Sequence, residues 1–136
     1  MLALGGLARR GALGLAGILA AAMPVYALAV AGLPPLAKLE RGRWLLRNVD
    51  EKAERAICVA DPVTFIRLEH QGAACGYETL RSDAAGATVR YTCPGRGFGL
   101  TQVRIEHSRL ASIETQGLSG GRPFAYKVQA RKIGAC

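Results

Sequence analysis

CGYETLRSDAAGATVRYTC, residues 75–93, is the stretch on which the fold turns. Two runs of alternating character, Tyr77 to Ser82 and Ala87 to Thr92, surround the turn-forming Asp83-Ala84-Ala85-Gly86, and a cysteine stands at each outer end. That is the pattern of a β-hairpin that brings Cys75 beside Cys93. The match is one residue out of step. A four-residue loop pairs Ser82 with Ala87, and the same register carried outward sets Gly76, not Cys75, opposite Cys93. A bulge in one strand or a three-residue loop is therefore required.

Four cysteines allow three connectivities, and the hairpin selects Cys75 with Cys93, which leaves Cys58 to tie down Cys136. In the chain-entropy model the shorter loop is worth about 3 kcal/mol and the longer about 4.5 kcal/mol. No two cysteines form a C-x-x-C pair and the chain has only two histidines, so disulfides rather than a metal site are expected, and with them an oxidising compartment.

The N-terminal end agrees. Arg9 and Arg10 precede a stretch without charge from Gly11 to Ala31, dominated by Ala, Leu, Gly, Val and Ile, the order of a secretory n-region and h-region. Ala27, Ala29 and Ala31 supply overlapping A-x-A sites, so residues 1–29 are read as a signal peptide cleaved after Ala29 or Ala31. An uncleaved signal anchor is the rival, because the 21 residues from Gly11 to Ala31 are enough to span a bilayer. Either way the remainder lies beyond the inner membrane, in the periplasm of a Gram-negative bacterium or secreted. Setting aside Arg9 and Arg10, the only charges before residue 38, lowers the formal charge from +8 to +6. A chain this short buries a marginal core, which makes covalent staples useful.

Residues 30–41, with Pro34-Pro35 and mixed charge, read as a linker, and the domain as residues 42–136. Arg43 to Val49 reads as a first strand, with Trp44, Leu46 and Asn48 on one side, and Glu54 to Val59 as a second. Asp61-Pro62 sets an N-cap and a first-turn proline for a short helix to about His70, ending at Gly72. From Cys75 onward the chain is an antiparallel meander. Val89, Tyr91, Thr101, Val103, Ile105, Ala111, Ile113, Thr115, Phe124, Tyr126, Val128 and Ala130 form its core face, and residues 117–121 the last turn. The expected fold is mainly β, a curved sheet or partial barrel of about seven strands with one short helix.

Certain residues resemble a family. Gly42-Arg43-Trp44, Cys58-x-x-Asp61-Pro62, Tyr91-Thr92-Cys93-Pro94-Gly95 and the closing Ile133-Gly134-Ala135-Cys136 together resemble domain-of-unknown-function family 3617 over residues 42–136. The resemblance implies a small secreted bacterial protein and carries no activity. The chain departs from it by a shorter segment between Trp44 and Cys58 and by lacking methionine-rich stretches, which argues against metal handling.

Three features are candidate contacts. The alternating glycines of Gly95-Arg96-Gly97 expose backbone amides that can cradle an anion beside Arg96. Arg43, Arg47, Arg90, Arg104, Lys127 and Arg131 all point away from the core, a basic face suited to anionic headgroups or lipopolysaccharide. Trp44, Tyr77, Tyr91, Phe124 and Tyr126 are candidates to line a cup for an apolar molecule. His70 and His107, with Ser108 and Asp61, make no convincing catalytic or metal set. The expectation is a non-enzymatic binding or envelope-interaction module without cofactor, metal or nucleic acid, touching membrane as an integral part only through an uncleaved leader. A periplasmic enzyme inhibitor, marked by a protruding loop, and a carrier of a small apolar ligand, marked by an open cup, are the alternatives.

Overall fold

The computed structural model describes residues 33–136; the expected signal segment and its cleavage points at Ala29 and Ala31 lie outside the described residues. The strands are β1 (Gly42–Asn48), β2 (Glu54–Val59), β3 (Gly76–Asp83), β4 (Gly86–Cys93), β5 (Gly97–His107), β6 (Leu110–Ser119) and β7 (Arg122–Gly134). All seven lie in one sheet in the order β2-β1-β7-β6-β5-β4-β3, and every neighbouring pair is antiparallel. The meander thus runs from β3 to β7, and the β1–β2 hairpin docks on the far side of β7. The sheet does not close, so β2 and β3 are its edges.

The register puzzle of the β3–β4 hairpin resolves as a bulge. Pairing begins with Asp83 opposite Gly86 and Ser82 opposite Ala87, then shifts between Arg81 and Thr79, so that Tyr77 faces Tyr91 and Gly76 faces Thr92. Leu80 is the extra residue, and one step further out Cys75 and Cys93 are bonded. The second disulfide joins Cys58 on edge strand β2 to Cys136, across a sequence separation of 78.

One face of the sheet is dry. Trp44, Leu46, Val59, Val89, Tyr91, Val103, Ile113 and Ala130 are fully buried there, as their alternation with exposed neighbours demands. What covers them is two short 3-10 helices. The first, Pro34–Lys38, corrects the reading of residues 30–41 as a linker: Leu33, Pro35, Leu36 and Leu39 are buried in the same cluster as the strands. Leu33, Leu36 and Leu39 recur every third residue, which is one full turn of a 3-10 helix, so all three fall on one side. Pro34-Pro35 starts the helix instead of breaking the chain, because a first-turn proline lacks only an N–H that would have no partner. The domain therefore begins before Gly42. Glu40 fastens this segment, accepting from Lys132 Nζ at 2.7 Å and Ser108 Oγ at 3.0 Å, and these bonds hold its carboxyl below the usual range.

The second helix, Pro62–Arg67, is where Asp61-Pro62 places it, and Asp61 Oδ1 accepts from the Val63 amide at 3.0 Å. It is a 3-10 helix that stops at Arg67, short of the expected His70; Phe65 and Ile66 enter the core and Leu68 and His70 follow as buried residues of the turn beyond. The final turn is also shorter than residues 117–121. Ser119 pairs with Arg122, leaving only Gly120 and Gly121, whose φ of 55° and 79° are the left-handed pair that a two-residue hairpin requires.

Replacing Leu36 by Ala lowers unfolding free energy by about 2–5 kcal/mol, the cost of a core leucine, measured by urea denaturation. A linker residue would show no change.

Candidate binding surface on the outer face of the sheet

The inner face is covered except for a hollow of about 260 Å³ among Leu46, Asn48, Glu54, Glu69, Tyr126 and Val128, so the larger surface left to solvent is the outer face, which the register lays out in rows across the strands. One row holds Arg104, Ser112, Gln129 and Arg47; the next Gln102, Glu114 and Lys127; the next Arg90, Leu100, Gln116 and Ala125; the last Thr92, Phe98, Leu118 and Pro123. The face grades from cationic to apolar. Each part is concave. A hollow of about 530 Å³ lies among Arg47, Lys52, Gln102, Arg104, Glu114 and Lys127, and another of about 460 Å³ among Arg90, Thr92, Phe98, Leu100, Gln116 and Ala125.

Four of the six basic residues assigned to this face have a carboxylate neighbour. The pairs are Arg90–Glu78 at 2.9 Å, Arg104–Glu106 and Lys127–Glu114 at 3.4 Å, and Arg47–Glu54 at 3.9 Å. All are exposed, and such pairs contribute only about 0–1 kcal/mol. Arg43 and Arg131 have no carboxylate within 4.0 Å among the described residues.

Trp44 is not part of this surface, which corrects its assignment as a ligand contact. It is 0% exposed, its ring meets Phe65 edge-on at 4.9 Å between centroids, and its Nε1–H donates to the Glu40 carbonyl at 3.0 Å. The aromatic cup is filled by the chain itself. His70 occupies the space beside Tyr91 and Phe124, Phe124 in turn lies against Tyr126, and Tyr126 Oη–H donates to Glu69 Oε1 at 2.7 Å. Part of the space that the aromatic residues border is taken by residues 60–75, whose short helix and following turn pack onto the sheet.

Gly95 and Arg96 follow Pro94 in the tight connection from β4 to β5, and Gly97 opens β5 opposite Cys93. The Arg96 amide donates to the Cys93 carbonyl at 2.9 Å, and the Arg96 carbonyl accepts from the Gly120 amide at 3.1 Å, so the turns before β5 and β7 are tied together. Gly97, at φ 134°, passes so near β6 that a Cβ would lie 1.9 Å from the Leu118 carbonyl oxygen. The Arg96 amide is thus engaged within the turn, while the Arg96 side chain stands exposed.

His70 is the residue that organises this end from below. Its Nδ1 lies 3.0 Å from Tyr91 Oη and its Nε2 3.3 Å from the Arg96 carbonyl. A carbonyl only accepts, so Nε2 carries the proton and Nδ1 accepts from the tyrosine. Room for the Tyr91 ring comes from Gly99, where a Cβ would meet it at 2.5 Å, and room for His70 from Gly97, where a Cβ would lie 2.8 Å from Nε2. His107 sits at the opposite end of the 11-residue β5 and accepts from the Arg109 amide, so the structure does not bring the two histidines together. Among the described residues there is no cluster of three or more His, Cys, Asp or Glu that can hold a metal ion. The sequence reading passed over Phe98 and Leu100, although their signal was present: they alternate with Gly97, Gly99 and Thr101, and therefore face opposite to the core residues Thr101 and Val103.

Burial, with nearby Glu69 and Tyr77, pushes the Tyr91 hydroxyl up to about 12, and burial with the Glu69 bond pushes Tyr126 up as well. Unfolded tyrosine titrates near 10. Above that pH the unfolded chain has lost a proton that the fold retains, so stability is full below about pH 10 and falls as pH rises toward 12. Tyr91→Phe removes the donor to His70 and costs about 1–3 kcal/mol at neutral pH, yet its alkaline decline is shallower. Urea midpoints from pH 7 into the alkaline range show both effects.

No protein-family model matches the chain, and neither a curated protein nor a solved structure is similar to it.

Proposed function

We propose that this chain is an exported, non-enzymatic envelope-interaction module that rests on anionic headgroups through the outer face of its sheet. The observation that carries the reading is the cationic hollow, where Arg47, Lys52, Arg104 and Lys127 stand around Gln102 and Glu114 on a face the core does not use. A surface of this kind concentrates at an anionic layer by attraction worth about 1 kcal/mol per basic residue at the surface. The two disulfides fit an extracellular or periplasmic setting, and among the described residues no helix is long and apolar enough to cross a membrane. On this reading the chain reaches that setting by cleavage near Ala29 or Ala31.

The residues behind the family 3617 resemblance fit the same picture, since Trp44, Asp61-Pro62 and three of the cysteines all serve the fold. The inhibitor reading is weaker because the turns after β3, β5 and β6 hold two residues each, the one after β4 three and the one after β1 only five. The carrier reading is weaker because the inner cup is occupied by His70 and its neighbours.

Vesicle cosedimentation tests the reading. Binding is expected to vesicles containing phosphatidylglycerol and not to pure phosphatidylcholine, to fall as salt shortens the Debye length, and to drop about tenfold or more in the double variant Arg104→Glu, Lys127→Glu. Equal binding to both vesicle types overturns it.

A further inference from the structure

We propose that the apolar end of the outer face, built around Phe98, inserts into the acyl layer of an anionic bilayer, so that the module is anchored at one end and not merely adsorbed. The inference rests on the envelope-binding reading and adds to it a depth and an orientation. Phe98 is 49% exposed, and the register sets it between Thr92 and Leu118, with Pro123 beyond. Leu100 lies in the next row on the same face. The rows further along the strands hold Gln102, Glu114 and Lys127, then Arg104, Gln129 and Arg47, with Val49 the exposed apolar residue that borders that cationic end, so the cluster of apolar side chains in adjoining rows is the one around Phe98.

This apolar residue is outside because the inside is taken. Gly97 and Gly99 face inward, where His70 Nε2 and the Tyr91 ring would lie 2.8 Å and 2.5 Å from an added Cβ. The strand therefore has no inward position for a large side chain before Thr101, and a phenylalanine on the outer face adds nothing to the core. An exposed aromatic gathered with other apolar groups and rimmed by polar ones is the mark of a contact surface.

Charge at the rim selects the occupant. Arg96, in the turn before β5, and Arg122, the first residue of β7, stand at or beside the Gly120–Arg96 bond in sequence and have no carboxylate within 4.0 Å among the described residues. Cations beside a partly exposed aromatic match a layer with phosphates above and acyl chains below. The end is also pre-ordered, since His70 holds the Arg96 carbonyl from below and Gly120 holds it from the side, so docking requires little further ordering.

The test uses Phe98→Trp with vesicles of phosphatidylglycerol and phosphatidylcholine whose acyl chains carry bromine. Trp44 is the only native tryptophan and is fully buried, so it gives an unquenched background. Quenching of the Phe98→Trp emission, absent in the control variant Gln102→Trp, is the expected result, together with at least tenfold weaker association of Phe98→Asp. Binding of these vesicles without quenching at position 98 overturns insertion while leaving adsorption by charge intact. Failure of every variant and of the native chain to bind anionic vesicles overturns both readings. A blue shift of Phe98→Trp without vesicles, rising with protein concentration and matched by a dimer in sedimentation that Phe98→Asp abolishes, overturns insertion in favour of a second copy.

Discussion

A single sheet has one face that must be kept from water, and the manner of covering it governs everything else in this chain. Closure into a barrel or a second sheet are the common solutions. Here two 3-10 helices of five and six residues lie across β3, β4 and β5 and supply Leu36, Leu39, Phe65 and Ile66 to a core that the strands meet with Trp44, Tyr91, Val103 and Ile113. The cover is small, which is why the cysteines matter. Cys75–Cys93 locks the segment that leaves the second helix to the end of β4, and Cys58–Cys136 joins the N-terminal hairpin to the end of the chain. Each staple restrains a part whose own contacts are few.

Irregular cover has a polar cost, and the sheet meets it with buried hydroxyl and imidazole groups. Thr101 Oγ1 donates to the Ile66 carbonyl at 2.6 Å and shares a 2.7 Å bond with Thr115 Oγ1, so two threonines on the dry face satisfy a backbone group that no helix ladder reaches. His70 does the same at the other end, joining Tyr91 on β4 to the Arg96 carbonyl before β5. These bonds explain threonine at core positions that alternation alone assigns to valine. They also explain why β5 opens with glycines, because the rings of His70 and Tyr91 take the space that side chains at positions 97 and 99 would fill.

Alternation made the sheet legible. From β4 to β7 burial alternates with the period of two, although Ile105, Phe124 and Tyr126, expected in the core, are only half-buried, and the bulge at Leu80 is one of the two solutions that the conflict between the turn and the cysteines allows. The cover was not legible to the same argument. A period of three over seven residues, Leu33, Leu36 and Leu39, hides behind two prolines that ordinarily mark a linker. The β1–β7 pairing was hidden as well, since it joins strands from opposite ends of the domain and no turn between them records it. The same holds for Trp44, whose burial depends on Phe65 from a segment that alternation in the strands does not place.

Occupation of the inner face also constrains where any partner can act. The edges offer little: β3 is bent by the Leu80 bulge and carries Arg81 paired with Asp83, and β2 bears Glu54 and Arg55 and is held by a disulfide, devices that keep foreign strands from adding to a sheet. What remains is the outer face, whose gradient runs along the strands and not across them. A gradient in that direction cannot be satisfied by a uniform anionic plane lying flat against the sheet, because its apolar end would then face headgroups. It is satisfied when the sheet tilts, with the turns before β5 and β7 downward and the arginines of β1 and β7 above, so that charge and depth change together along the same axis.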